Sequence, residues 1–133
     1  MIRNRVAQCP HQKIILSGYS QGAWVIRMAL QALKQQPDVN WSEIEGAIAG
    51  IGLIADPYNK IFMPPVPEEL ESRTFKVCLP GDVVCNNPVD NYPSPKCDPF
   101  TILCPHVRYG TEQGAGGRTK IQEVADFLRT RLQ

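Results

Sequence analysis

The sequence predicts an α/β fold in which a parallel sheet is flanked by helices. Three short apolar runs lack the alternation of a half-exposed strand and are typical of strands covered on both faces. Two other stretches repeat apolar residues at three- and four-residue steps, as helices with one buried face do. Strand and helix patterns follow one another in the order of a parallel sheet with crossover helices. We therefore expect a single domain over residues 1–133.

The first half of the chain predicts a strand, a helix and a second strand. Residues 1–12 are polar and ambiguous, and they are compatible with the last turn of a helix that runs into Cys9-Pro10. The strands are Lys13–Tyr19 and Gly46–Ala55, and the second contains three glycines that suit close packing of helices. Between them, a helix is predicted from Gln21 to near Pro37. Its apolar face consists of Val25, Ile26, Ala29, Leu30 and Leu33.

The second half predicts one more strand and one more helix, separated by loops. Pro64–Pro67 is interpreted as a surface loop, and Thr74–Leu79 is the third strand. Residues 86–117 are rich in Pro, Asn and Gly and predict a long loop, of the kind kept for function or held by disulfides. The last helix is predicted over Thr119–Leu132. Its buried face consists of Ile121, Val124, Ala125, Leu128 and Leu132.

Charge and hydropathy exclude two classes of partner. The chain has 14 Lys and Arg against 13 Asp and Glu, and no basic run, which argues against binding to nucleic acid. No apolar stretch approaches the ~18 to 20 residues that span a bilayer, so we expect no transmembrane segment. The start of the chain is followed by no apolar run, so the chain as given shows no export signal.

Cysteine usage nevertheless points to an oxidising compartment. Four of the five cysteines form two similarly spaced pairs, Cys78 with Cys85 and Cys97 with Cys104, without the C-x-x-C spacing of a zinc site. We therefore expect disulfides in a secreted protein, and no metal or other cofactor. Cys9 is left over, which indicates an intermolecular bond, a free thiol, or a partner in a piece of chain that is absent.

A G-x-S-x-G motif follows the first predicted strand. Residues 18–22 read Gly-Tyr-Ser-Gln-Gly and lie between a strand and a helix, which is the context that makes this pattern specific. The two glycines would permit a turn tight enough to expose the hydroxyl of Ser20 at the edge of the sheet, beside a helix N-terminus. Ser20 is therefore the candidate nucleophile. The alternative is that it only caps the helix.

A serine nucleophile needs a base and an orienting acid. His106 lies in the long loop that can reach the carboxyl edge of the sheet, whereas His11 precedes the first strand and is expected at the opposite edge. Asp82 follows the third strand directly and is the first candidate for the acid, and Asp56, which follows the second strand, is the next. Two further aspartates lie in a loop with no strand to position them: Asp90 and Asp98.

These residues predict acyl transfer. His106 would take the proton of Ser20 as it attacks an ester carbonyl, and Asp82 would hold the imidazole in the required tautomer. The oxyanion needs two donors, and the backbone N–H of Gln21 is the expected first. Only twelve residues precede the first strand, which is too few for the earlier strand, loop and helix that normally supply the second donor. That donor is expected to be missing.

The motifs resemble the cutinase family of serine esterases, in the family's order and over nearly the whole chain. The matching segments are Cys9-Pro10, residues 18–23, Cys78-x-x-Gly81-Asp82-x-Val84-Cys85, and Pro105-His106-x-x-Tyr109-Gly110. The resemblance implies an α/β-hydrolase fold without a lid, and it gives Ser20, Asp82 and His106 the roles of nucleophile, acid and base. It also implies Gln21 as an oxyanion donor, secretion, and a disulfide between Cys78 and Cys85.

The chain departs from the family pattern at two places. The family's N-terminal strands, its oxyanion-hole hydroxyl residue and the cysteine that pairs with the equivalent of Cys9 are not in this sequence. We therefore expect the first strand, at Lys13–Leu16, to have an unpaired apolar edge. The pair Cys97 and Cys104 is not part of the fungal cutinase pattern, and it would stiffen the loop that delivers His106.

Three functions are compatible with these observations. The first is a secreted esterase acting on cutin, lipid or other acyl esters, since family members divide among cutin, lipid and acetylated-sugar esters. The second is an impaired or non-catalytic fragment, and the third is a serine acyltransferase with the same triad. An acyl chain would suit the apolar side chains near His106, which core packing explains equally well: Phe100, Ile102 and Val107.

Overall fold

A computed structural model describes residues 1–57, 64–85, 104–113 and 116–133 of the chain. It contains a three-stranded parallel sheet with helices on both faces. The fold class predicted from the sequence is therefore confirmed. In chain order the elements are α1 (Ile2–Gln8), β1 (Ile14–Tyr19), α2 (Gln21–Gln35), α3 (Trp41–Ala47), β2 (Ile48–Ile54), α4 (Glu68–Glu71), β3 (Thr74–Val77), a 3-10 helix (Pro105–Val107) and α5 (Lys120–Thr130).

The strand β2 lies at the centre of the sheet. It pairs in parallel with β1, where Leu16 is opposite Ile51, and with β3, where Ile51 is opposite Thr74. Among the described residues, β1 has a strand partner on one side only. All three strands therefore end at the same edge of the sheet, and the residues that follow them are brought together there.

Two hydrophobic clusters cover the two faces of the sheet. Alternate residues of β2 point to opposite sides, as the period of a strand requires, so Ile51 and Leu53 enter one cluster and Ile54 enters the other. The first cluster also takes residues of α1, α2, α3 and α4. The second takes Val124 and Leu128 of α5. Helices on both faces explain why β2 is apolar along its whole length.

Helix α5 lies close to the sheet because β2 presents glycines to it. A Cβ atom at Gly52 would stand 2.4 Å from a methyl of Val124, and one at Gly50 would stand 3.1 Å from a methyl of Leu128. The prediction that glycines permit close packing is correct at these two positions. It is wrong at Gly46, which lies in α3 with open space around it.

The buried face of α2 is rotated from the predicted one. Val25 is 62% exposed, whereas Arg27, which the sequence places among the polar residues, is fully buried. Its guanidinium donates to Asp56 from Nη2 at 2.7 Å and from Nε at 3.2 Å, and it also donates to the carbonyl of Pro64. A buried charge is stable only with such partners. Arg27 can face inward because the buried carboxylate of Asp56 is there to pair with it.

Other differences from the sequence prediction concern short elements and helix ends. The segment at Pro64–Pro67 is not wholly a surface loop, because Val66 is 2% exposed and packs in the core. The short helices α3 and α4 were not predicted, and each buries a single large apolar residue, too few to give a period. At the ends of α5, Ile121 and Leu132 are exposed. Within the described ranges, no helix has the length and apolar character needed to cross a membrane.

Candidate active site

Ser20 lies at the sharp turn between β1 and α2. Its φ of 54° and ψ of −119° are unusual for a residue with a side chain, and such backbone strain persists only where neighbouring contacts enforce it. Its N–H donates to the carbonyl of Ile54 at 2.8 Å, which ties the turn to the end of β2. The hydroxyl makes no capping hydrogen bond to α2. The alternative that Ser20 is only a helix cap is therefore not supported.

The two motif glycines differ in what they do. A Cβ at Gly18 would lie 2.5 Å from the backbone carbon of Gly22 and 2.6 Å from the backbone nitrogen of Ala23, so the first turn of α2 crosses directly over Gly18. A Cβ at Gly22 would meet nothing within 4 Å. The close approach predicted for both glycines is therefore needed only at Gly18.

We expect Gly18→Ala to disrupt the turn and Gly22→Ala to be tolerated. Backbone atoms cannot yield as a side chain can, so the alanine at Gly18 should move α2 away from β1 and cost at least about 1–3 kcal/mol of unfolding free energy. At Gly22, an alanine should be neutral or stabilising, because Ala favours helix by up to about 1 kcal/mol over Gly. Urea denaturation of both variants measures the difference. Equal stabilities would contradict this account of the turn.

His106 lies in a short 3-10 helix, inside the segment that the sequence predicts to be a long loop and directly after the buried Pro105. Its side chain is 12% exposed. Its Nε2 lies 3.0 Å from the hydroxyl oxygen of Ser20, although 86 residues separate the two in the chain. The structure therefore places His106 beside Ser20, at the carboxyl edge of the sheet.

Asp82 follows β3 in a tight turn. Gly81 has a φ of 78°, which an L side chain rarely adopts, and the N–H of Asp82 closes the turn onto the carbonyl of Leu79 at 3.1 Å. A disulfide joins Cys78 to Cys85 around this turn. The side chain of Asp82 is fully buried, and its Oδ1 accepts the N–H of Val84 at 2.8 Å.

The imidazole of His106 bridges Asp82 and Ser20. Its Nδ1 lies 2.9 Å from Oδ2 and 3.1 Å from Oδ1 of Asp82. An ionised carboxylate only accepts hydrogen bonds, so Nδ1 carries the proton and Nε2 is free to accept the hydroxyl proton of Ser20. This is the arrangement in which a hydroxyl can be activated for attack on a carbonyl carbon.

Two tyrosines that are not among the predicted site residues flank His106. The ring of Tyr19 stacks on the imidazole with centroids 5.1 Å apart, and its hydroxyl donates to the backbone carbonyl of His106. Tyr109 meets the imidazole edge-on at 6.5 Å and donates its hydroxyl proton to Oδ2 of Asp82 at 2.7 Å. Burial and then the hydrogen bond to Asp82 raise the pKa of Tyr109 well above its usual value. Burial, followed by the charge of Asp82, also raises the pKa of Tyr19.

The remaining candidates are not part of this cluster. His11 is exposed and precedes β1, as expected for the opposite edge of the sheet. Asp56 is at the correct edge, but it pairs with the buried Arg27. Cys9 forms no disulfide, and Cys104 is disulfide-bonded. Five predicted candidates lie outside the described residues: Asp90, Cys97, Asp98, Phe100 and Ile102.

Two predicted roles concern residues beside the cluster. Gln21 is the first residue of α2, and the N–H groups of a first helical turn have no acceptor within the helix. Val107, next to His106, is 71% exposed, so core packing does not account for this apolar side chain. A second oxyanion donor is not identified in the part of the chain that the structure describes.

Comparison with known proteins gives a consistent result. The model of the family described as Cutinase matches residues 1–121. The chain is 28% identical to "Probable cutinase 3" of Neosartorya fischeri, over 95% of this chain and 46% of that protein. It is 32% identical to "Cutinase CUT1" of Coprinopsis cinerea, over 82% of this chain and 46% of that protein. "Carboxylesterase Culp1" of Mycobacterium bovis is 28% identical over 63% of this chain and 39% of its own length. The chain spans about half the length of the curated relatives it matches.

Proposed function

Since this chain belongs to the cutinase family, we propose that it is a carboxylic ester hydrolase whose nucleophile is Ser20. The observation that carries the proposal is the hydrogen-bonded series from Ser20 through His106 to Asp82 at the carboxyl edge of the sheet. The names of the relatives, cutinase and carboxylesterase, support the same class of reaction.

The reaction would proceed through an acyl-enzyme. Ser20 Oγ attacks the ester carbonyl carbon while Nε2 of His106 takes the hydroxyl proton, and the buried charge of Asp82 stabilises the imidazolium that forms. Collapse of the tetrahedral intermediate breaks the bond to the alcohol, which leaves with the proton from His106. A water, deprotonated by His106, then releases the acid and regenerates Ser20. The backbone N–H of Gln21 would donate to the oxyanion.

We place an apolar acyl group of the substrate beside Val107. This side chain is adjacent to His106 and exposed to solvent, so an apolar acyl group that covered it would gain free energy by burial. Esters of aliphatic acids are therefore the proposed substrate class. The disulfide between Cys78 and Cys85 supports an oxidising compartment, and so we propose that the protein acts outside the cell.

Labelling with a fluorophosphonate tests the proposal directly, because the reagent phosphonylates only an activated serine. Peptide mass spectrometry should find the label on Ser20 of the folded protein and not of protein unfolded in guanidinium. Hydrolysis of p-nitrophenyl butyrate, measured in parallel, should stop as the label is taken up. Absence of both labelling and hydrolysis would reject the proposed function.

A further inference from the structure

Tyr109 lies at the centre of the hydrogen bonds behind the site. Its side chain is among the largest fully buried ones, and the residue is 1% exposed. The phenol oxygen lies 2.8 Å from the backbone nitrogen of Leu79, 2.7 Å from Oδ2 of Asp82 and 3.2 Å from the sulfur of Cys85. One hydroxyl therefore joins the end of β3, the acid and the disulfide.

The direction of these hydrogen bonds follows from the groups involved. The backbone N–H of Leu79 can only donate, so the phenol oxygen accepts from it. The phenol has one proton of its own, and the carboxylate of Asp82 is a far stronger acceptor than the disulfide sulfur of Cys85. The proton is therefore directed at Oδ2 of Asp82. A phenol keeps its proton at neutral pH, and burial raises the pKa of Tyr109 further in the same direction.

Both oxygens of Asp82 are thus held from behind. Oδ1 accepts the N–H of Val84 at 2.8 Å, and Oδ2 accepts the hydroxyl of Tyr109 at 2.7 Å. Two donors, one on each oxygen, prevent the carboxylate plane from rotating, and Nδ1 of His106 then lies between the oxygens at 2.9 and 3.1 Å. Of the two donors, only the hydroxyl of Tyr109 belongs to a side chain and can be removed by substitution.

We propose that Tyr109 is a positioning residue for the reaction, which fixes the orientation of the Asp82 carboxylate and limits its basicity. The inference rests on the proposed function. Without the hydroxyl, Oδ2 loses one of its donors and the carboxylate is held less firmly against Nδ1 of His106, which lowers turnover. Its unneutralised charge also favours the imidazolium, so the base is lost to protonation at a higher pH. Two titratable groups of the described residues contact this pair: Tyr19 stacks on His106, and Tyr109 contacts both His106 and Asp82.

The test compares Tyr109→Phe with wild type on p-nitrophenyl butyrate. We expect kcat to fall about tenfold with KM changed less than about twofold, since a hydrogen bond to a charged group is lost without contact to substrate. The acidic limb of the kcat/KM profile should move to higher pH by about half a unit or more. The control is Thr74→Val, which removes a part-buried hydroxyl bonded to the carbonyl of Leu70 at 2.8 Å. It should alter stability only.

A second substitution keeps the volume of the side chain. Replacing Tyr109 with 3-fluorotyrosine makes the phenol a stronger donor, so the acidic limb should move to lower pH, opposite to Tyr109→Phe. If Tyr109 had a purely structural role, the acidic limb of the kcat/KM profile would stay at the wild-type pH in both variants. That result would overturn the inference.

A readout without turnover separates this inference from the proposed function. The proton on Nδ1 of His106 gives a downfield ¹H resonance that depends on the basicity of Asp82. Its shift should change in Tyr109→Phe and stay unchanged in Thr74→Val, even if wild type hydrolyses no ester. If wild type is inactive but the resonance differs between wild type and Tyr109→Phe, only the proposed function is rejected. If wild type is active and the resonance is the same in Tyr109→Phe, only the role of Tyr109 is rejected.

Discussion

Ser20→Ala is expected to abolish hydrolysis of p-nitrophenyl butyrate while leaving the fold intact. The hydroxyl is the group that would form the acyl-enzyme, and serine hydrolases that lose their nucleophile lose about a million-fold in kcat. Alanine is smaller than serine and makes no new contacts. It has the same preference against a positive φ, so the backbone strain at this position stays the same. Stability should therefore stay within about 0.5 kcal/mol of wild type. The measurement is the steady-state rate together with urea denaturation.

A matched control and a partner variant sharpen this result. Ser17→Ala removes an exposed hydroxyl from the same strand and should retain full activity. His106→Ala should lose as much activity as Ser20→Ala, and the double variant should lose no more, because residues that act as a unit are not additive. Activity retained in Ser20→Ala would reject Ser20 as the nucleophile.

Asp82→Asn is expected to lower kcat by about 10,000-fold, as the corresponding change does in serine proteases. The asparagine keeps the shape of the side chain, but its amide can present a donor to Nδ1 of His106. The imidazole would then place its proton on Nε2, where it faces Ser20 and cannot accept the hydroxyl proton. The loss of charge also removes the stabilisation of the imidazolium. Rates at saturating ester measure the effect.

Asp56→Asn is the matched control, because it changes a second buried carboxylate at the same edge of the sheet. Its partner is the guanidinium of Arg27, so the variant removes the carboxylate charge from a buried ion pair. Breaking such a pair costs about 3–5 kcal/mol of unfolding free energy. The kcat of the remaining folded protein should stay near that of wild type. If Asp56→Asn lost turnover and Asp82→Asn did not, the assignment of the acid would be wrong.

The parts of this molecule that could be predicted from sequence are those with a local signature. The strand β1, the turn at Ser20 and the start of α2 follow from an apolar run, a glycine-flanked serine and a change of period, all within neighbouring residues. The edge of the sheet where His106 and Asp82 lie follows from chain order alone, because parallel strands end together.

What could not be predicted depends on contacts between distant segments. Arg27 has the same local pattern as an exposed arginine, and its burial depends on partners far away in the chain, among them Asp56, 29 residues away, and the carbonyl of Pro64. The stacking of Tyr19 on His106 depends likewise on how two separate segments meet, as does the hydrogen bond from Tyr109 to Asp82. Short helices such as α3 bury too few apolar residues to produce a helical period in the sequence.

The parallel order of the three strands also bears on how fast this protein folds. Each strand pair is separated in the chain by a crossover, and the contact between Ser20 and His106 spans 86 residues. The entropy of closing such loops must be lost before the distant contacts can form, and folding rates fall as native contacts become more distant in the chain. The hydrogen bonds around His106 join residues at the ends of β1 and β3, so we expect them to form after these strands have docked on β2. Refolding should therefore be slow, and these hydrogen bonds should be among the last contacts to form.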